Sequence, residues 1–287
     1  MRHDTDASGA LRLRAGNRRN PQLIDLQLTG KTAFVSGSTA GIGFATAHRL
    51  AAEGAHVTVN GRTQSRVDAA VAKIQGDTGS ASVAGVAADL GNADGAARVL
   101  AALPSVDILV NNLGIFEPKP FPAITDADWL RFFETNVMSG VRLARAYLPH
   151  MRAQNWGRIV FVSSESGVNI PPEMVHYGTT KTAQVAVARG LAESLAGTAV
   201  TVNSVLAGPT ASEGVTAFVA NLARERGVDA ATMEKEFFAT ARPSSLLKRF
   251  IRPDEIASLI AYIASPLASA TTGAALRVDG GVVRAAL

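Results

Sequence analysis

From Gly30 onward, short and almost continuously apolar runs alternate with longer stretches whose apolar residues recur at helical spacing. The runs are Thr32–Ser36, His56–Asn60, Val83–Ala88, Ile108–Asn111, Arg158–Ser163, Val200–Leu206 and Ala274–Val278. Strands apolar on both sides are strands covered on both faces, as in a parallel sheet. The helix-sized segments between them are Ile42–Glu53, Ser65–Gln75, Ala93–Leu103, Ala127–Met151, Tyr177–Ala196 and Pro253–Ala264. Pro253 suits a first helical turn, where its missing N–H costs nothing. Strand–helix alternation over seven strands predicts an α/β fold, a doubly wound parallel sheet flanked by helices. No linker and no internal repeat divides the pattern, so residues 26–287 are expected to form a single domain.

Two stretches depart from that rhythm. Between Gly208 and Arg252 lies a long insertion with Phe218, Phe237 and Phe238 among small and charged residues. An insertion after the carboxyl end of a strand sits where open α/β sheets bind ligands. We expect a substrate lid over about 208–250, with a helical hairpin packed on the body or on another subunit as the alternative. The first 25 residues are polar and Arg-rich without an apolar period, and read as a disordered extension. Arg18-Arg19 is followed only by scattered apolar residues, so the pair does not read as an export signal, and a cytoplasmic protein is expected.

Composition narrows the function classes. The chain has 287 residues, 47% apolar and 18% charged, which is globular composition. There is no cysteine, which excludes disulfides, thiolate metal sites and cysteine nucleophiles. No apolar run approaches the roughly 18 residues of a membrane span. Residues 1–25 hold five arginines against three aspartates, leaving 23 basic and 21 acidic residues after them. The body is nearly neutral, so no nucleic-acid face is expected. The five histidines (His3, His48, His56, His150 and His176) are scattered, and no metal site is expected.

The chemistry starts where the first strand ends, in Ser36-Gly37-Ser38-Thr39-Ala40-Gly41-Ile42-Gly43. Glycines there permit a tight turn into a helix and let a pyrophosphate approach backbone N–H groups at the helix N-terminus. The second strand ends in Asn60-Gly61-Arg62. Dinucleotide sites for NAD place an acid about 20 residues past the glycines; here Gly61 stands 18 residues after Gly43, and Arg62 follows. A guanidinium matches a 2′-phosphate by charge and donor geometry, so NADP(H) is expected over NAD(H). Farther on, Tyr177 and Lys181 are four apart and share one helix face. An ammonium there favours a tyrosinate, tuning Tyr177 to exchange a proton with a carbonyl or alcohol oxygen.

The G-x-x-x-G-x-G spacing together with Tyr177-x-x-x-Lys181 resembles the short-chain dehydrogenase/reductase family, whose fold is Rossmann-type. Further matches cover residues 28–281: Asp89-Leu90, Asn111-Asn112-Leu113-Gly114, Asn136, Ser164 at 13 residues before Tyr177, Val202-Asn203-Ser204-Val205, and Leu276–Gly281. Ser163 is a competitor for Ser164, but neighbours on a strand point to opposite faces. The resemblance implies a tetrad of Asn136, Ser164, Tyr177 and Lys181. It implies cofactor contacts from Gly37, Ser38, Thr39, Gly41, Ile42, Gly43, Asn60, Arg62, Asp89, Leu90, Asn112, Gly114, Tyr177, Lys181, Gly208 and Ser212. It also implies that Asn136 holds a water linking Lys181 to solvent, and that the chain is a homo-oligomer, a tetramer or dimer built on the long helices.

The chain departs from the family pattern at Leu113, where alanine is usual, and at Ala207-Gly208-Pro209, where Pro-Gly is usual. Reversible hydride transfer to a small carbonyl or from a secondary alcohol is the implied reaction. An NADPH-dependent ketone reductase leads. A 3-oxoacyl thioester reductase and a non-catalytic nucleotide-binding protein are the alternatives. Enoyl reductases of this fold separate tyrosine and lysine by six residues rather than three, which disfavours that reaction. Glu165 is expected to be a solvated strand-end acid, with a substrate-facing acid that favours a polar or cationic ligand as the alternative. Val168, Ile170 and Met174 are expected to form an apolar pocket wall, and each histidine to be structural or exposed, His176 alone standing beside Tyr177 within reach of substrate.

Overall fold

The structure, a computed structural model, describes residues 25–286, without the side chains of Ala217, Phe218 and Leu222. The expected N-terminal extension therefore lies outside the described residues, apart from Asp25, and so does the side chain of Phe218.

Seven strands form one parallel sheet: β1 Thr32–Val35, β2 His56–Gly61, β3 Val83–Ala87, β4 Ile108–Asn111, β5 Gly157–Ser164, β6 Val200–Ala207 and β7 Ala275–Val278. Their order is β3-β2-β1-β4-β5-β6-β7. The order reverses between β1 and β4, and in such sheets ligands bind at the carboxyl ends beside that reversal. The two faces of β5 show how the apolar runs are used. Ile159 and Phe161 pack into one core with Leu143 and Tyr147, while Val160 and Val162 pack into the other with Leu50 and Ile260. Helices α1 Gly41–Ala52, α2 Gln64–Thr78 and α9 Pro253–Ile263 cover that second face. Helices α3 Ala93–Ala102, α5 Ser139–Ala153 and α6 Val175–Ser194 cover the first.

The long helix expected over 127–151 is interrupted. Helix α4 (Asp126–Phe133) passes through a π-helical turn, Glu134–Met138, into α5. Thr125 starts α4 with a capping box to Asp128. The π turn carries Asn136 inward, where its side chain bonds the backbone of Ile115. Such bulges recur at functional sites because the extra residue re-aims a side chain.

The insertion is a helical hairpin. Ser212 and Asp229 cap α7 (Glu213–Arg226) and α8 (Ala230–Thr240), and Gly227, at φ +66°, ends α7 in the left-handed region. Val219, Ala223 and Met233 form a small core of their own, with Phe250 against it. The segment is thus a hairpin, and Val215, Val219, Met233 and Phe237 line the same cavity as Ser164 and Ala207 at the carboxyl ends of the strands.

Candidate active site

The glycine turn is built by close approach. Gly37 and Gly41 sit at φ +59° and +57°, where a side chain would strain the backbone. A Cβ on Gly43 would lie 2.4 Å from Gly37 O and 2.5 Å from Asn112 Nδ2. Helix α1 starts at this turn with no side-chain cap and no acid in its first turn. Its first N–H groups and the positive end of its dipole are left for an anion.

Several residues expected to touch a cofactor also brace the backbone around this turn. Ser38 is fully buried; its Oγ donates to Val35 O at 2.7 Å and accepts from Asn60 N at 2.9 Å. Asn60 accepts from Gly37 N and donates to Val86 O and Ala88 O, each at 3.1 Å. Asn112 Nδ2 clasps Ser36 O and Gly37 O at 3.0 Å. Leu90 has its side chain in the core. A Cβ on Gly208 would meet the Asp279 backbone at 2.6 Å, and this glycine also lines the cavity at the strand ends. The side chains of Ser38, Asn60 and Leu90 are thus committed to the protein, because buried polar groups take backbone partners where these are in reach.

Other expected residues do face the open side. Ile42, Asn112, Gly114, Ser212, Tyr177 and Lys181 line one cavity at the strand ends. Asp89 is exposed at the end of β3, its Oδ1 accepting from Gly91 N. Thr39 packs against Gly61, where a Cβ would come within 2.5 Å of Thr39 Cγ2. Arg62 follows, exposed and without an ion-pair partner among the described residues.

Ser164, Tyr177 and Lys181 converge at the same cavity. Ser164 is the last residue of β5, and Tyr177 is the third residue of α6. Both side chains face the cavity, and Ser164 Oγ accepts from Ser166 N at 3.1 Å. Ser163 faces the opposite way and donates to Lys181 O at 2.8 Å, as strand alternation requires. Lys181 is buried; its Nζ donates to Val162 O at 2.9 Å and to Gln184 Oε1 at 3.1 Å, 5.7 Å from the Tyr177 ring. Gln184 Nε2 donates in turn to Asn136 O at 2.5 Å. Gln184 thus joins the Lys181 ammonium to the backbone of Asn136. Asn136 itself accepts from Ile115 N at 2.7 Å and donates to Ile115 O and Thr180 Oγ1. Gly114 lies over the ammonium; a Cβ there would be 3.3 Å from Lys181 Nζ, so its absence keeps the lysine reachable.

Burial sets the proton affinities of this group. It pushes Tyr177 up to about 12, partly opposed by the Ser164 hydrogen bond, and pulls Lys181 down to about 8. The expected lowering of Tyr177 by Lys181 is thus not a property of the protein alone. The ammonium is turned to Val162 and Gln184, and desolvation outweighs its attraction.

The cavity measures about 510 Å³ and is walled by apolar groups such as Ile115, Phe116, Met174, Val215 and Phe237. Two neighbouring expectations are corrected, for Glu165 and for the apolar wall, while His176 keeps the structural role expected of the histidines. Glu165 is not solvated; it is 2% exposed and paired with Arg242 at 2.9 Å. Val168 and Ile170 are about half exposed and lie outside the cavity wall. His176 faces away from it, fully buried against Phe132 and Trp129. Gln184 and Arg242 were passed over in the sequence. Gln184 sits one turn past Lys181 on the same face, which was the available signal; Arg242 had none.

A family model described as enoyl-(acyl carrier protein) reductase matches residues 37–283. Dehydrogenase/reductase SDR family member 4 of Caenorhabditis elegans is 34% identical, covering 88% of this chain and 95% of that protein. The chain belongs to the short-chain dehydrogenase/reductase family. Within this family it is also similar to the uncharacterized oxidoreductase YvaG of Bacillus subtilis, 46% identical over 91% of this chain and 99% of that protein. Among solved structures it resembles the L-sorbose reductase of Gluconobacter frateurii, crystallised with NADPH and L-sorbose. That resemblance has a TM-score of 0.85 and 29% identity, and covers 91% of this chain and all of that one. The chain is an oxidoreductase of the short-chain dehydrogenase/reductase family, and the convergence of Ser164, Tyr177 and Lys181 is its candidate catalytic centre.

Proposed function

We propose that the protein is an NADPH-dependent ketone reductase, catalysing reversible hydride transfer between the nicotinamide and a carbonyl or secondary alcohol. The observation that carries this reading is that Ser164, Tyr177 and buried Lys181 line one cavity that also borders the glycine turn at Ile42. The residues fit a dinucleotide: the uncapped start of α1 suits a pyrophosphate, the gap over Gly114 suits a group reaching Lys181, and exposed Arg62 suits a 2′-phosphate. When bound, the nicotinamide supplies or accepts the hydride. Ser164 Oγ donates a hydrogen bond to the substrate carbonyl oxygen and polarises it. Tyr177 Oη delivers the proton in reduction and takes it back in oxidation. Lys181 holds its positive charge behind Tyr177 and offers donors to the ribose, with Asn136 and Gln184 fixing its place.

We take residues 26–287 as one catalytic domain, with the 208–250 segment as its lid. A homo-oligomer, tetramer or dimer, is favoured by a groove between α5 and α6 walled by Val141, Leu148, Val187 and Leu191. We take the enzyme to be cytoplasmic as part of this reading; no helix among the described residues is long and apolar enough to cross a membrane. Reduction of a 3-oxoacyl thioester by the same residues is the second reading.

Titration of NADPH and NADH into the purified protein tests the cofactor assignment. Tighter NADPH binding is expected, with Arg62→Asp removing at least about 10-fold of the preference, the worth of one charge-assisted contact. Equal affinities in the wild type would contradict it.

A further inference from the structure

Beneath the reacting hydroxyls lies a second polar spot that the proposed chemistry does not use. Glu165 follows Ser164 directly, and both line the cavity, as does Arg242 from the end of the hairpin. Glu165 is 2% exposed and Arg242 8%. Glu165 Oε1 accepts from Arg242 Nε at 2.9 Å and from Ser166 Oγ at 3.1 Å. Its other oxygen, Oε2, is buried and has no partner. Arg242 Nη1 donates to Ala241 O at 2.8 Å and stands 3.6 Å from Glu173 Oε1. Nη2 makes no hydrogen bond among the described residues.

A buried ion pair is expensive to desolvate and contributes little to stability by itself. One left with an orphaned carboxylate oxygen costs more, because the unpaired acceptor lost its water for nothing. The free lone pairs call for a donor, and the free guanidinium N–H calls for an acceptor. A hydroxyl group satisfies both at once. A carboxylate does not, since it would set its charge against Oε2; a thioester has no proton to give. Ser164, Glu165 and Arg242 line the same cavity, so a ligand whose carbonyl is held at Ser164 has its neighbouring substituents within that polar end of the cavity.

We propose that the Glu165–Arg242 pair recognises a hydroxyl group beside the reacting carbon, making the substrates hydroxyketones and their diol products. This rests on the ketone-reductase reading above and decides within it against the 3-oxoacyl thioester.

The test compares 1-hydroxy-2-butanone, 2-butanone and 2-oxobutanoate as substrates, with NADPH, for the wild type and Glu165→Gln. The hydroxyketone is expected to exceed 2-butanone in kcat/KM by about 10-fold or more, mainly through KM, with 2-oxobutanoate poorest. In Glu165→Gln the hydroxyketone-to-butanone ratio is expected to fall toward one. If that variant does not fold, the wild-type ratios decide. A wild type that reduces 2-butanone as well as its hydroxy analogue overturns the inference and leaves the reductase reading standing. A ratio unchanged in Glu165→Gln overturns it too, and makes the pair a tie between the hairpin and β5. No reduction of any of the three overturns both.

Discussion

At the scale of single residues, the site is governed by what each side chain does with its hydrogen-bonding capacity. Lys181 is buried and its charged form is supported by two acceptors, Val162 O and Gln184 Oε1. Removing one acceptor disfavours the ammonium, so in Gln184→Leu the lysine should titrate still lower than about 8. Reduction depends on that charge, so its kcat/KM should begin to fall about one pH unit earlier, the worth of a hydrogen bond to a charged group. A pH–rate profile checks this; a uniform loss of rate with an unmoved alkaline limb would mean Gln184 only shapes the fold. His176 gives a second expectation. Both its ring nitrogens are buried without partners, and burial lowers its pKa below the ordinary 6.5. The unfolded chain then binds the proton more readily, so stability falls as pH drops through and below 6.5. His176→Phe should stabilise by about 1 kcal/mol at neutral pH by removing the unpaired groups. It should also flatten the acid limb of a Tm-against-pH curve; an unchanged curve would contradict the assignment.

At the scale of elements, the apolar runs and the helical periods carried nearly all of the fold. Each expected strand is present within a residue or two of its expected ends, because a strand covered on both faces leaves a strong signature. The failures are local. Nothing in Ala127–Met151 announces the π turn at Glu134–Met138, since its cause is a long-range bond from Asn136 to Ile115. Periodicity could not show the burial of Glu165, because its partner Arg242 lies 77 residues away. Nor does the sequence show that the side chains of Ser38 and Asn60 brace the glycine turn, because their partners are backbone groups in or just after β1, β2 and β3. The positions of Ser164, Tyr177 and Lys181 were legible because strand alternation and helix spacing fix them locally. The glycine turn makes the sharpest expectation at this scale. Gly43→Ala places a methyl 2.4 Å from Gly37 O, so β1, α1 and the Asn112 clasp must part. A loss of about 1–3 kcal/mol in denaturant unfolding is expected, the usual cost of overpacking, with NADPH binding weakened in parallel. A stable variant with intact binding would mean the turn tolerates rearrangement.

At the scale of the whole molecule, the sheet brings together residues far apart in the chain. The glycine turn after β1, Ser164 after β5 and the hairpin after β6 all stand at the carboxyl ends of the strands, around the reversal between β1 and β4. The anion-binding turn, the proton-transfer group and the apolar cavity are consequently parts of one continuous site. The measurement that bears most directly on this account is NADPH oxidation with a panel of ketones by the wild type and by Tyr177→Phe, with NADPH affinity measured alongside. The wild type should reduce at least one ketone, and the variant should bind NADPH normally yet turn over roughly 10³-fold more slowly, the usual worth of a positioned acid. Equal turnover by the two proteins, or a wild type that binds NADPH tightly and reduces none of the panel, would contradict the assignment of Tyr177 as the proton donor of a ketone reductase.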